Sequence, residues 1–155
     1  MAEKKKKSAA PGDFAVNRKA WHDYTVLEKI ECGMELTGTE VKVIRHGEAS
    51  LTGSYGVVLG GQLYVEGMHV PVYTFGNRFN HVPLSRRRLL VHRKEIESLR
   101  LKSEAKGLTL IPLRLYLKHG FIKMELGVCR GKALHDKRDA LKKKAQKRDM
   151  ERGDV

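Results

Sequence analysis

Histidine beside aspartate is the first pattern in this chain that could do chemistry, because an imidazole oriented by a carboxylate can move protons. It occurs twice, at His22-Asp23 and His135-Asp136. Neighbouring side chains do not converge on one ligand position, and the seven histidines form no HxH or HExxH spacing. Cys32 and Cys129 stand far apart, so they fit neither a zinc pattern nor a disulfide framework and read as two reduced thiols. Glu28, Glu31, Glu35 and Glu40 cluster at a spacing that puts some of them on one strand face. A solvated face accounts for them, although Glu31 also suits a carboxylate that accepts from base or ribose donors. There is no GxSxG elbow. Gly60-Gly61 lacks the Lys and Ser/Thr of a phosphate loop, and Gly53-Ser54-Tyr55-Gly56 is too short for a dinucleotide fingerprint. No catalytic residue, metal or cofactor is expected.

The basic residues say more. Lys and Arg total 31 against 18 Asp and Glu, a net charge of +13 and a pI near 9.9. Residues 1–20 carry net +4 and residues 131–155 another +4, while the long middle carries only +5. A nearly balanced body with two cationic arms is the layout of a nucleic-acid binder, since counterion release along a polyanion rewards it. Asn17, Arg18, Lys19, Lys42, Arg45, Arg86 to Arg88 and Lys123 come from four separate segments. A fold that gathers them would present a positive groove.

The elements that must do the gathering are mostly strands. Tyr24 to Leu36 alternates loosely as an extended run, with Gly33 marking a bulge or bend. Residues 39–47 read as a short helix capped by Thr39 and stopped by Gly47. Tyr55–Leu59 and Gln62–Val65 flank Gly60-Gly61 as a hairpin. Met68 to Tyr73 reads as extended chain, and residues 74–83 as a loop anchored by Phe75 and Phe79. Ser85 to Ala105 reads as the main helix, Ser85 capping it and Gly107 ending it. Leu108–Tyr116 and Phe121–Val128 form a second hairpin around Lys118-His119-Gly120, with Pro112 barring full pairing of the first strand. His81 in its loop and His119 at its tip suit stacking or exposure. Five or more strands with short helices and frequent glycines predict a mainly β, α+β domain: an oligonucleotide-binding-type β-barrel.

The expected organisation is a disordered basic lead over 1–12, a barrel over 13–130 and a basic tail over 131–155. Lys4 to Lys7 imitate the start of a signal peptide, but Ala9-Ala10-Pro11-Gly12-Asp13 follows where an apolar stretch would be needed. A soluble, cytoplasmic protein with no membrane segment is therefore expected. Lys132 to Arg152 contains good helix formers and no Gly or Pro, yet its apolar face of Leu134, Leu141 and Ala145 is thin. Such a tail should be disordered when free and become helical along RNA.

Three motifs in order resemble a known family. They are Asn17-Arg18-Lys19-Ala20-Trp21-His22-Asp23-Tyr24, Glu31-Cys32-Gly33-Met34-Glu35-Leu36-Thr37-Gly38-Thr39-Glu40-Val41-Lys42, and Gly131-Lys132-Ala133-Leu134-His135-Asp136-Lys137-Arg138. From about Phe14 to Arg152 the chain resembles the small protein B family, the SsrA-binding partners of transfer-messenger RNA. The resemblance implies an oligonucleotide-binding-type barrel that binds the tRNA-like domain near its elbow. It implies delivery of that RNA to ribosomes stalled without a stop codon, for trans-translation. It also implies a tail that enters the vacant mRNA channel by the decoding centre and folds there. On this sequence the implied RNA contacts fall on Asn17, Lys19, His22, Glu31, Lys42, Leu90 and Lys123, beside the basic Arg18 and Arg45. The implied ribosome-binding tail falls on Gly131, Lys132, His135, Asp136, Lys137 and Arg138, with Lys142 and Lys143 beyond. His135 would stack on a ribosomal RNA base, and Lys137 and Arg138 would bind phosphates. The implied partners are transfer-messenger RNA and the ribosome, with one copy of the protein per RNA.

A peptide spanning 131–155 should gain helical circular dichroism when structured RNA is added. No gain would count against coupled folding of the tail.

Overall fold

The computed structural model describes residues 13–75, 80–105 and 107–132. In chain order these form β1 (Asp13–Val16), α1 (Arg18–Asp23), β2 (Tyr24–Met34), α2 (Gly38–Arg45), β3 (Tyr55–Leu59) and β4 (Gln62–Glu66). Then follow β5 (Arg87–Leu90), α3 (Arg93–Glu104), β6 (Leu108–Lys118) and β7 (Phe121–Gly131). Every strand pairing is antiparallel, and β6, β3, β4, β5, β2 and β7 form a ring that closes where β7 returns to β6. β1 lies outside the ring against the far half of β6. This is the expected mainly β, α+β architecture of oligonucleotide-binding type.

Three 11-residue strands make the closure possible, because each is long enough to serve different neighbours at its two ends. β2 pairs with β7 from Tyr24 to Gly33, then passes to β5 at Gly33 and Met34. Gly33 is therefore the corner, as its place in the run predicted. A Cβ there would stand 3.3 Å from the Leu90 Cβ, so a larger residue would push β5 outward by a few tenths of an ångström. β6 meets β3 at Leu110 and β1 from Arg114 to Tyr116, and between them Pro112 turns its ladder-free side to Asn17. Leu113 is the extra residue of a bulge there. Before the bulge Leu110 faces the main core. Ile111 and Leu113 face a smaller cluster with Ala20 and Cys129, and beyond it Leu115 has returned to the main core.

The first hairpin forms as expected, with Gly60 and Gly61 both at positive φ (56° and 78°), the twist a two-residue turn needs. The second forms too, its tip at His119 and Gly120 and its first strand extending to Lys118. Both thiols are buried and outside any disulfide; desolvation pushes the pKa of Cys32 to about 12 and that of Cys129 to about 11.

Several local expectations are corrected. The helix expected over 85–105 is two elements. Residues 87–90 form β5, with Arg87 and Leu89 buried and Leu90 exposed, and the helix begins at Arg93. The strand is required because it alone bridges β4 to β2, so ring closure overrides helix propensity. Its cap is His92, whose backbone N–H donates to Glu95 Oε1 at 3.2 Å, not Ser85. The α2 cap is Thr37, not Thr39. Thr37 Oγ1 accepts from the Glu40 N–H at 3.4 Å, and Glu40 Oε1 accepts from the Thr37 N–H at 2.9 Å. Thr39 instead bonds His81 Nδ1 at 2.8 Å. His81 is thus a structural pin, its Nε2 within 2.9 and 2.8 Å of the Val70 and Pro71 carbonyls. Those carbonyls are spent on a side chain, and Met68 to Tyr73 makes only a bridge from His69 to Ser50 instead of a strand. The loop after it is held by the Asn80 amide, which bonds both the N–H and the carbonyl of Tyr73. Phe75 does not anchor it, being 84% exposed, and Phe79 lies outside the described residues.

Inside this frame sits one buried ion pair. Arg87 Nε donates to Glu40 Oε2 at 2.5 Å, with the two side chains only 2% and 5% exposed. The rest of the guanidinium donates to the carbonyls of Met68, Ser85, Val82 and Pro83. Glu40→Ala would strand that cation in the core and remove the side-chain half of the α2 capping box. It should cost about 3–5 kcal/mol, read as a lowered urea midpoint. A loss under 1 kcal/mol would show that the pair is not structural.

Candidate nucleic-acid interface

At the Gly33 corner three elements converge. β2 supplies Gly33 and Met34, β5 supplies Leu90, and β7 supplies Phe121 and Lys123, with Lys123 in register opposite Gly33. The one-sided alternation of β7 puts Phe121, Lys123 and Glu125 on its outer face. α2, fixed by its capping box and the Arg87 pair, adds Val41 and Arg45, one helical turn apart. Together these side chains rim an open depression of about 280 Å³. Leu90 is 43% exposed there, an apolar surface rimmed by cations.

Glu31 stands one pleat along β2 on the same outer face. Its Oε1 accepts from the Tyr116 hydroxyl at 2.8 Å and from Lys118 Nζ at 3.1 Å. Those two bonds hold its carboxyl below the usual range, while Oε2 has no partner among the described residues. A fixed, ionised acceptor beside Lys123 can receive a ribose hydroxyl or a base amino group. Lys42, on the next face of α2, lies 5.9 Å from the Tyr73 ring centroid.

The cations of this corner are unpaired. Among the described residues, Lys42, Arg45 and Lys123 make no ion pair. Arg86 bonds Glu66, Arg87 bonds Glu40, Arg88 bonds Glu35 and Gln62, Arg114 bonds Asp13 and Glu125, and Lys102 bonds Glu28. The Arg86 to Arg88 run therefore does not join the groove the sequence suggested; its charge is already answered by carboxylates.

The structure divides the rest of the predicted set. Arg18, Lys19 and His22 lie on α1, at the other end of β2 from Gly33, about 30 Å of extended chain away. Lys19 and His22 both bond Asp23, at 3.0 and 2.9 Å. Among the described residues the His22 ring bonds only Asp23. Asn17, also expected among the RNA contacts, has its side chain engaged inside the fold. It is 3% exposed, and its amide donates to the Leu51 and Pro112 carbonyls while its oxygen accepts from the Ala20 N–H. It caps α1 and pins it to β6. Gly131 is the last residue of β7, opposite Tyr24, and Lys132 N–H bonds the Asp23 carbonyl, so the expected boundary after 130 falls inside the sheet. His135, Asp136, Lys137, Arg138, Lys142 and Lys143 lie outside the described residues, as does the 1–12 lead. Phe121, 68% exposed on the rim, was missed in the sequence, although its period-two spacing from Lys123 is the signal that would have found it.

Among the described residues no His, Cys, Asp or Glu cluster could hold a metal ion, and no helix is long and apolar enough to cross a membrane. Residues 14–154 match the SmpB protein family. Similar relatives are the SsrA-binding proteins of Staphylococcus haemolyticus and Staphylococcus aureus. The first is 54% identical over 148 residues, 96% of this chain and 95% of the relative. The second is 53% identical over 152 residues, 98% and 96% of the two chains. Among solved structures, a chain from work on tmRNA–SmpB at the center of the bacterial ribosome is 42% identical. It has a TM-score of 0.66 and covers 81% of this chain and 92% of that one.

If Lys123 contacts a phosphate, Lys123→Ala should flatten the log–log salt dependence of RNA binding by about 0.9. An unchanged slope would remove Lys123 from the interface.

Proposed function

The chain belongs to the SmpB protein family, and we propose that it is an adaptor that binds the tRNA-like domain of transfer-messenger RNA and delivers it to stalled ribosomes for trans-translation. It does so without turnover of its own, in the cytoplasm. The observation that carries this reading is the separation of the cation-rimmed apolar depression from the chain's exit. Arg45 and Lys123 rim the depression that holds Leu90 at one end of β2, with Lys42 beside Arg45 on α2, while β7 ends beside α1 at the other.

Each part of the corner has a task in that reading. The three cations take phosphates and supply the salt-dependent share of affinity. Glu31, held ionised, takes a ribose or base donor and so adds selectivity that charge alone lacks. Leu90, standing on Gly33, supplies an apolar contact to a base or sugar. None of these groups is placed to make or break a bond in RNA.

The second end has a different task. Residues 131–155 carry net +4, and Lys132 begins them from a point fixed on α1. In this reading His135, Lys137 and Arg138 contact ribosomal RNA in the vacant mRNA channel, with Gly131, Lys132, Asp136, Lys142 and Lys143 alongside. Arg18, Lys19 and His22 then face the same ribosomal surface as the tail, not the RNA held at the corner.

Removing residues 133–155 leaves β7 whole. The truncated protein should bind transfer-messenger RNA nearly as the full chain does, yet fail to support peptide tagging on stalled ribosomes. Loss of RNA binding on truncation would overturn this division of labour. Equal affinity for any RNA duplex would favour a general basic RNA binder.

A further inference from the structure

Phe75 and Phe121 are the two most exposed large apolar side chains among the described residues, at 84% and 68%. Both are aromatic, and both border the same cationic surface. Phe121 sits on the rim of the depression with Arg45 and Lys123. Phe75 packs edge-on against Tyr73, ring centroids 5.8 Å apart at 69°, and Tyr73 lies beneath Lys42. α2 links the two, carrying Lys42 toward Tyr73 and Arg45 toward the depression that Phe121 rims. The surface thus reads aromatic, cation, cation, cation, aromatic.

An exposed phenyl ring costs free energy in water unless something covers it. Charge decides what covers these. A protein partner without acidic residues, laid over the rings, would also bury Lys42, Arg45 and Lys123, which make no ion pair among the described residues. Desolvating three such cations opposes that partner. A nucleic acid brings its own phosphates to them. Its paired bases present only edges, whereas an unpaired base offers a face to a ring.

Resting on the reading of the corner as the RNA interface, we propose that Phe121 and the Tyr73–Phe75 pair are two stacking platforms. Each takes one unpaired base of the bound RNA, and Lys42, Arg45 and Lys123 hold the phosphates that run between. Phe121 is placed rigidly, because it follows the two-residue tip of His119 and Gly120 and pairs with Lys118. Stacking tolerates any base, so the platforms select for bases turned out of a helix, not for their sequence. The Glu31 carboxylate and the cations then read the backbone between two splayed bases.

The full-length protein would be titrated with a transcript of the tRNA-like domain at several salt concentrations, as parent, Phe75→Ala, Phe121→Ala, Phe75→Trp and Phe121→Trp. Each alanine variant should bind about 5- to 100-fold more weakly with an unchanged salt slope, and each tryptophan variant should recover parent affinity. Both side chains are on the surface, so the alanine variants should melt with the parent. A blunt-ended RNA duplex of equal length should bind parent and alanine variants alike. Parent affinity in either alanine variant overturns the platform at that position. A salt slope that falls with the affinity overturns stacking as its cause. Lys123→Ala and Arg45→Ala run in the same titration separate the two ideas. If they weaken binding while both phenylalanines prove silent, the interface stands and the platforms fail. If none of the four matters, the reading of the corner itself fails.

Discussion

Everything at the Gly33 corner depends on the Arg87–Glu40 ion pair. A guanidinium out of water must find an acceptor for each donor, and Arg87 finds one carboxylate and four carbonyls. Those acceptors belong to α2, to Met68 and to the 82–85 segment, so one side chain fixes three stretches of chain relative to β5. The same Glu40 carboxylate closes the capping box of α2 with its other oxygen. Helix start, strand position and loop path are thereby set together. Arg45 can face Leu90 only because all three are held.

Unlike charges on this protein are sorted by use. Most arginines of the body have a carboxylate within reach, and such pairs add little stability at the surface. Their larger effect is on which cations stay unpaired, and Lys42, Arg45 and Lys123 do so close together near one corner. Net charge draws RNA to the molecule from a distance, whereas the pattern of unpaired cations decides where it stays. A count of basic residues cannot tell Arg86 from Arg45; only the neighbours can.

Local chemistry was legible in the sequence, and long-range geometry was not. Gly60-Gly61, the bend at Gly33 and the turn at Lys118-His119-Gly120 each declare themselves within a few residues, and each forms where expected. Residues 85–92 misled because arginines and leucines favour helices and nothing nearby says that β4 and β2 need a bridge. Asn17 looked like an RNA contact because it sits beside Arg18 and Lys19. Its burial follows from Leu51 and Pro112, carbonyls 34 and 95 residues away. Glu31, Arg45, Leu90 and Lys123 were individually readable from charge and from the resemblance. Their meeting at one corner, and the absence of Arg18, Lys19 and His22 from it, required the ring.

β7 supplies two seams of that ring, against β2 and against β6, and its partners in β2 lie roughly a hundred positions earlier in the chain. No partial chain lacking it can complete the sheet. The body must therefore finish folding after residue 131 has been synthesised, and at the slow pace that distant strand contacts impose. Until then β2 holds open backbone edges over most of its length, so the newborn chain is exposed to misassociation for as long as β7 is missing.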